Sequence, residues 1–284
     1  MSSHILADGR RLSFEDAGPR GGKPVLYFHG VPSAGTEWHM WGDEALLNAA
    51  GVRLIAMDRP GVGGSTFQPN RRLSDWPTHV VALANALGLE RFSVLGYSGG
   101  GPYAAVCAAL IPDRLLAVGM VSSLTSFDRS ELLEGLNPQN LRFLRLSIDK
   151  PWIFRLLYRQ VCLLARMAPG KYLRNAMATF EQADREAFSL PQVHRAIFAA
   201  TGSPRGQQWD TRLILSHWDF PLENIRIPVH LWYGDQDHNA SPAMGHYLEK
   251  TIPHSHAAFL RGEGHVSLII KYAGSILRTL TGES

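Results

Sequence analysis

The sequence has few of the features that mark secreted, membrane-spanning or nucleic-acid-binding proteins. Its 284 residues include only two cysteines, Cys107 and Cys162, in differently patterned segments, so we expect free thiols and no disulfide. No segment reaches the roughly 18 consecutive apolar residues that a transmembrane helix needs. No run of lysine or arginine exceeds two residues, and the net charge is +3. From these absences we expect no nucleic-acid partner and no membrane partner.

The N-terminal residues also lack the basic region and apolar segment that together form a secretory signal, which makes a cytoplasmic protein the expectation. The composition, 45% hydrophobic and 19% charged, is that of a globular protein long enough to bury a sizeable core. No metal-ligand spacing stands out, so we expect no metal and no organic cofactor. The sequence gives no indication of the oligomeric state.

Strand and helix signals alternate in two separate parts of the chain. Short apolar runs typical of buried strands alternate with helical periodicity in residues 1–125 and again in 225–284. This alternation predicts a mostly parallel sheet with helices on both faces. Residues 126–224 carry only helix-like stretches, separated by proline and glycine. We therefore predict a core domain formed by 1–125 and 225–284 and a helical lid inserted at 126–224. Three of the predicted helices span 38–50, 172–188 and about 268–280.

A glycine-rich turn follows the third buried strand. Gly96-Tyr97-Ser98-Gly99-Gly100 matches G-x-S-x-G, comes directly after the apolar run 92–95 and precedes an alanine-rich helix that starts near Gly101. A nucleophile elbow requires this strand–turn–helix setting, because residues without a Cβ let the strand and helix close around a strained serine. An ordinary glycine-rich turn is the alternative. The setting favours Ser98 as a nucleophile.

An acid and a histidine follow the nucleophile in the chain order that this kind of site requires. The apolar run 229–233 ends in Gly234-Asp235-Gln236-Asp237, and the last strand, 257–260, leads to His265. Both stretches lie just past the carboxyl ends of parallel strands, where open α/β sheets bind their ligands. Strand alternation does not separate Asp235 from Asp237, since both have the same parity.

The other histidines after Asp237 are poorer candidates for the base. His246 falls within a predicted helix, while His254 and His256 are placed before the last strand and so at the wrong edge of the sheet. A metal site at these two residues lacks further ligands. His265 is therefore the predicted base.

With these residues in place, the chain resembles the α/β-hydrolase superfamily, and in particular its lidded group of esterases, epoxide hydrolases and haloalkane dehalogenases. His29-Gly30-Val31-Pro32 is similar to the H-G-x-P oxyanion loop of that group, and residues 58–65 resemble its structural D-x-x-G-x-G-x-S turn. The resemblance implies the α/β-hydrolase fold with a mostly parallel eight-stranded sheet. It implies backbone N–H groups of Val31 and Gly99 as oxyanion donors and His29 as a loop-organising residue. A G-x-x-D motif selects Asp237 as the acid, with Asp235 as a loop carboxylate.

The residue at the elbow departs from part of that group. Epoxide hydrolases and dehalogenases use aspartate there, whereas a serine–histidine pair suits acyl transfer. The sequence thus predicts a serine hydrolase acting on a carboxylic ester of a small to medium, largely apolar acyl substrate. Alternatives on the same residues are a C–C bond hydrolase, a lactonase, a thioesterase and an acyltransferase. A ligand receptor that retains the triad and a non-catalytic scaffold are alternatives of a different class.

Overall fold

An eight-stranded sheet forms the centre of the computed structural model, which describes residues 1–178, 180–199 and 203–282. The strands are β1 (Ser2–Ile5), β2 (Arg11–Ala17), β3 (Lys23–Phe28), β4 (Val52–Met57), β5 (Phe92–Tyr97), β6 (Leu115–Val121), β7 (Val229–Gly234) and β8 (Ser255–Leu260). Their order in the sheet is β1-β2-β4-β3-β5-β6-β7-β8. β2 pairs antiparallel with β1 and β4, and the other neighbours are parallel. The predicted fold class is confirmed.

Helices cover both faces of the sheet. The described α-helices are α1 (Glu44–Ala49), α2 (Trp76–Ala86), α3 (Gly101–Leu110), α4 (Pro138–Asp149), α5 (Pro151–Met167), α6 (Pro169–Met177), α7 (Gln182–Phe188), α8 (Pro191–Ala199), α9 (Pro204–Leu215), α10 (Pro242–Thr251) and α11 (His265–Thr281). β3 shows why a continuous apolar run suits this position. Leu26 and Phe28 pack in one core with α2, α3 and α10, while Val25 and Tyr27 pack in another with α1 and α11. Each face of a central strand therefore buries side chains.

Three predicted helices differ from the structure. The predicted helix 38–50 is two elements in the structure: a 3-10 helix, Gly35–Met40, followed by α1. Asp43 caps the start of α1, where its carboxylate accepts the Leu46 N–H at 2.8 Å. Gly42 and Asp43 were the signal for this break. The stretch 172–188 is divided between α6 and α7 without a proline or glycine to mark the division, and residue 179 lies outside the described residues. The last helix begins at His265, and His256 lies within β8 and not before it.

In the described part of the segment between β6 and β7, every regular secondary-structure element is a helix. Its described residues form α4 to α9 and short 3-10 turns, with no strand. We call residues 126–224 the insertion. Cys107 and Cys162 are both free. Among the described residues, no helix is both long and apolar enough to cross a bilayer.

Candidate active site

Ser98 occupies a strained turn between β5 and α3. Its φ of +52° lies in the left-handed region that a residue with a Cβ rarely adopts. The glycines around it are required by close packing. A Cβ on Gly100 would overlap the carbonyl oxygen of Phe28, and one on Gly96 would overlap the carbonyl oxygen of Gly100. The turn is therefore as tight as a nucleophile elbow demands, and it places Ser98 on the wall of a cavity.

Asp237, and not Asp235, meets His265. Asp237 Oδ2 lies 2.8 Å from His265 Nδ1, and its Oδ1 accepts the N–H groups of Asn239 and Ala240, both at 2.8 Å. Asp237 is 1% exposed, and its carboxylate is held by backbone groups of its own loop. Asp235 is exposed and accepts the Gly262 N–H at 2.7 Å. Geometry thus separates two acids that strand parity left equivalent.

His265 is the first residue of α11 and borders the same cavity as Ser98. Burial by itself lowers the pKa of its imidazole, but the hydrogen-bonded Asp237 carboxylate outweighs burial and the pKa stands above its ordinary value. Because Nδ1 donates to Asp237, Nε2 is the nitrogen left to accept a proton. The ring of Tyr97 packs 5.2 Å from the imidazole, centre to centre, and limits its movement.

The cavity has a volume of about 330 Å³ and is lined mainly by apolar groups. Tyr97 of β5 and five aromatic residues of the insertion line it, the latter being Phe143, Tyr158, Tyr172, Phe180 and Phe188. Trp152, in contrast, points to solvent, and Phe154 is fully buried away from the cavity. None of the described lining residues is a lysine or an arginine, and Glu37 is the one carboxylate among them. No group of three potential metal ligands is arranged around an ion in the described part of the chain.

The peptide unit that contains the Val31 N–H is held through its carbonyl group, which belongs to Gly30. Val31 lines the cavity and is adjacent to Gly99, since a Cβ on Gly99 would lie 2.5 Å from Val31 Cγ1. The carbonyl of Gly30 belongs to the same peptide unit as the Val31 N–H. It accepts from Arg59 Nη2 at 2.8 Å and lies 2.8 Å from His29 Nδ1. These contacts fix the plane of that peptide and therefore the direction of the Val31 N–H.

A buried ion cluster connects this loop to the insertion. Asp210 of α9 bonds to Arg59 at 2.7 Å, to Arg71 at 2.6 Å and to the Tyr103 hydroxyl at 2.6 Å. Burial alone would raise the pKa of Asp210, but the two guanidinium groups hold it well below its usual range. Burial, with Arg59 alongside, lowers the pKa of His29 well below the ordinary value. His29 is therefore a neutral member of the loop and unsuited to act as a base at neutral pH.

A second carboxylate of the insertion holds the start of α11. Asp184 accepts the N–H groups of His265, Val266 and Ser267 at 2.8, 2.8 and 2.9 Å. A carboxylate at a helix N-terminus satisfies donors that have no partner within the helix. Nothing in the sequence indicated this contact, because Asp184 lies 81 positions before His265.

Replacing Asp184 with alanine should lower the free energy of unfolding by about 2–3 kcal/mol, because three buried N–H groups lose a charged acceptor. It should also lower kcat, since the His265 backbone is anchored by the same carboxylate. Chemical denaturation and steady-state kinetics measure the two effects. Glu186→Ala is the control, because it removes an exposed carboxylate from the same helix. Equal stability of the two variants would contradict the anchoring role.

Glu37 is a cavity residue that sequence analysis did not identify. Its Oε2 accepts the Gly30 N–H at 2.6 Å and the Tyr27 hydroxyl at 2.7 Å. A Cβ on Gly30 would lie 3.0 Å from Glu37 Oε1 and 3.3 Å from Ser98 Cβ, so the Glu37 carboxylate and the Ser98 side chain border the same small space. Burial raises the pKa of the Glu37 carboxyl. On the sequence alone, a glutamate in a short helical turn reads as a surface residue.

The sheet order, the serine elbow and the position of the aspartate–histidine pair define the class. The chain is a protein of the α/β-hydrolase fold, as its motifs predicted, and residues 23–148 match the alpha/beta hydrolase fold family.

Two curated relatives and one solved structure illustrate the similarity. The chain is 34% identical over 128 residues to a non-heme chloroperoxidase of Streptomyces lividans, covering 43% of this chain and 45% of that protein. It is 32% identical over 154 residues to a 2-hydroxymuconate semialdehyde hydrolase of Pseudomonas sp. (strain CF600), covering 51% and 53%. The matches thus span about half the length of these relatives. An esterase from Rhodococcus sp. ECU1013 superimposes with a TM-score of 0.72 at 22% identity, over 100% of this chain and 99% of the other, which shows a shared fold.

Proposed function

We propose that the protein is a serine hydrolase that cleaves carboxylic esters of small to medium, uncharged and largely apolar substrates. One observation carries this proposal. The Asp237 carboxylate lies 2.8 Å from His265 Nδ1, and the imidazole borders the same cavity as Ser98 on its strained turn. This arrangement can generate a nucleophile from a serine hydroxyl.

In the proposed cycle, Nε2 of His265 takes the hydroxyl proton while Ser98 Oγ attacks the carbonyl carbon of the ester. Asp237 stabilises the imidazolium that forms. Collapse of the tetrahedral intermediate breaks the bond to the alcohol, which leaves with the proton from Nε2. Water then attacks the acyl-enzyme, giving a proton to His265, and release of the acid returns that proton to Ser98.

The backbone N–H groups of Val31 and Gly99 are the proposed oxyanion donors. The hydrogen bonds from Arg59 and His29 to the Gly30 carbonyl support this role, because they hold the peptide of Val31 in one orientation. A donor that is already oriented needs no reorganisation when charge develops on the substrate oxygen. The insertion is the proposed lid, since its aromatic residues line the cavity.

The charges around the cavity favour an uncharged substrate. The described lining has no lysine or arginine to pair with a carboxylate, whereas the Glu37 carboxylate would repel one. The C–C bond hydrolase is the second candidate, because a relative is named for 2-hydroxymuconate semialdehyde, which carries a carboxylate. The lining disfavours that substrate in this chain.

Two activated esters that differ in one charge test the substrate class. p-Nitrophenyl butyrate should be hydrolysed with a kcat/KM at least tenfold above that of mono-p-nitrophenyl succinate, an order-of-magnitude Coulomb effect in a partly buried site. The preference should grow as pH rises through the raised pKa of Glu37, because the carboxyl ionises on that side. Glu37→Gln should reduce the preference, and Glu90→Gln, which removes an exposed carboxylate, should not.

The opposite preference would reject the uncharged-substrate proposal. Fast cleavage of a vinylogous 1,5-diketone with no ester hydrolysis would favour the C–C bond hydrolase. Lactones, acyl thioesters and an added alcohol acceptor test the remaining alternatives on the same three residues.

A further inference from the structure

Helix α5 has two different faces. One face, with Tyr158, Val161, Cys162 and Ala165, lines the cavity that contains Ser98. The other face is directed away from the protein. The same 17-residue helix therefore separates the cavity from the exterior of the molecule.

The outward face exposes large apolar side chains to an unusual degree. Trp152 is 66% exposed, Leu156 50%, Leu163 55% and Met167 76%. Their spacing of four, seven and four residues keeps them on one stripe of the helix. Single exposed apolar residues are common on protein surfaces, but four on one side of a single helix mark a surface suited to contact a membrane or another protein.

The same region concentrates positive charge. Residues 138–177, which form α4 to α6, contain eight arginines and lysines and one carboxylate, Asp149, for a net charge of +7. The remainder of the chain carries −4, since the total is +3. Arg155, Arg159 and Arg166 are exposed along α5 beside the apolar stripe. None of the ion pairs among the described residues involves these three arginines.

We propose that the outward face of α5 docks on the surface of an anionic lipid layer. Apolar side chains enter the boundary between head groups and acyl chains, and arginines beside them pair with lipid phosphates. Tryptophan is favoured at this boundary because its ring is apolar and its N–H is polar. Docking in this manner requires no transmembrane helix.

Charge also favours an anionic lipid surface over a second copy of the chain as the partner of this face. A symmetric dimer through α5 would bring two regions of +7 together, which Coulomb repulsion opposes. An anionic surface has the opposite sign. The proposal departs from the sequence-based expectation of no membrane partner, because folding places on one face arginines that are separated along the chain.

Docking would bring the cavity close to the source of apolar esters. Val161 is 38% exposed and also lines the cavity, so α5 carries both the cavity lining and the exposed surface at this position. The inference concerns binding and does not depend on the proposed hydrolysis. Ser98→Ala protein is therefore suitable for the test.

Vesicle sedimentation tests the proposal directly. Full-length Ser98→Ala protein should co-sediment with vesicles of phosphatidylcholine and phosphatidylglycerol at 7:3, and not with pure phosphatidylcholine. Raising NaCl from 50 to 500 mM should weaken binding, since salt screens exposed charges. Combining Arg155→Gln, Arg159→Gln and Arg166→Gln should weaken it on the order of a hundredfold, at about 1 kcal/mol per cation near an anionic surface.

A matched variant controls for net charge. Arg226→Gln, Lys250→Gln and Arg278→Gln together remove three exposed cations from outside the insertion, and binding should stay within a few-fold of the parent protein. Trp152→Ser combined with Leu156→Ser should also weaken binding. Because both side chains are exposed, this double variant should keep the melting temperature of the parent protein.

Three results would overturn the proposal. The first is no co-sedimentation with the anionic vesicles. The second is equal loss in the two triple variants, which would indicate a general effect of net charge. The third is a dimer in light scattering that Trp152→Ser with Leu156→Ser dissociates without any vesicle binding, which would make the stripe a contact between copies.

Discussion

Replacing Ser98 with alanine should lower kcat for ester hydrolysis by roughly ten-thousand- to million-fold, as expected when the nucleophile of a serine–histidine–aspartate site is removed. The residual rate would come from substrate binding and the backbone oxyanion donors. Steady-state kinetics measure the loss, and a fluorophosphonate probe followed by mass spectrometry should label Ser98 in the parent protein and not in the variant.

Cys162 provides a stringent control because it is a second nucleophilic side chain on the same cavity. Burial raises the pKa of its thiol, so little reactive thiolate is present at neutral pH. Cys162→Ala should therefore retain both activity and labelling. A probe attached to Cys162, or full activity in Ser98→Ala, would rule out the proposed nucleophile. Slow single-turnover cleavage with a ligand-dependent rise in melting temperature would instead favour a receptor that retains the triad.

Replacing Asp237 with asparagine should lower kcat by about ten-thousand-fold, because the imidazole loses the carboxylate that orients it and stabilises its cation. The pH profile gives an independent readout. His265 must be neutral to accept the Ser98 proton, so activity falls as pH drops through its pKa, which burial lowers and Asp237 raises to above the ordinary value. Without Asp237 that acid limb should move to lower pH.

Asp235→Asn is the matched comparison, since it removes the neighbouring carboxylate two positions earlier in the same loop. It should leave the acid limb in place and reduce kcat only slightly, through loss of the hydrogen bond to the Gly262 N–H. If Asp235→Asn caused the larger loss, the assignment of the acid would be wrong.

Local rules account for the features that the sequence predicted well. The elbow is recognisable from sequence because Gly96 and Gly100 pack so closely against the backbone that no side chain fits there, and only glycine can occupy these positions. The strands are recognisable because burial on both faces demands continuous apolar runs. The position of His265 was predicted, although not that it begins α11.

Other features depend on residues that are far apart in the chain. Arg59 and Asp210 are 151 positions apart, yet together they hold the loop of Val31. Asp184 anchors α11 across 81 positions. No local pattern marks such pairs, because each partner alone resembles an ordinary surface charge.

The sequence by itself determined the fold class, the serine at the elbow and the order of serine, aspartate and histidine along the chain, since these depend on short-range sterics and on periodicity. The motif resemblance favoured Asp237 over Asp235, and the tertiary structure supplied the 2.8 Å contact between Asp237 and His265. Only the tertiary structure decided that Glu37 borders Ser98 and that α5 presents apolar and cationic side chains outward. Each of these depends on how separate elements pack, and packing is a property of three-dimensional contacts that spacing along one chain does not contain.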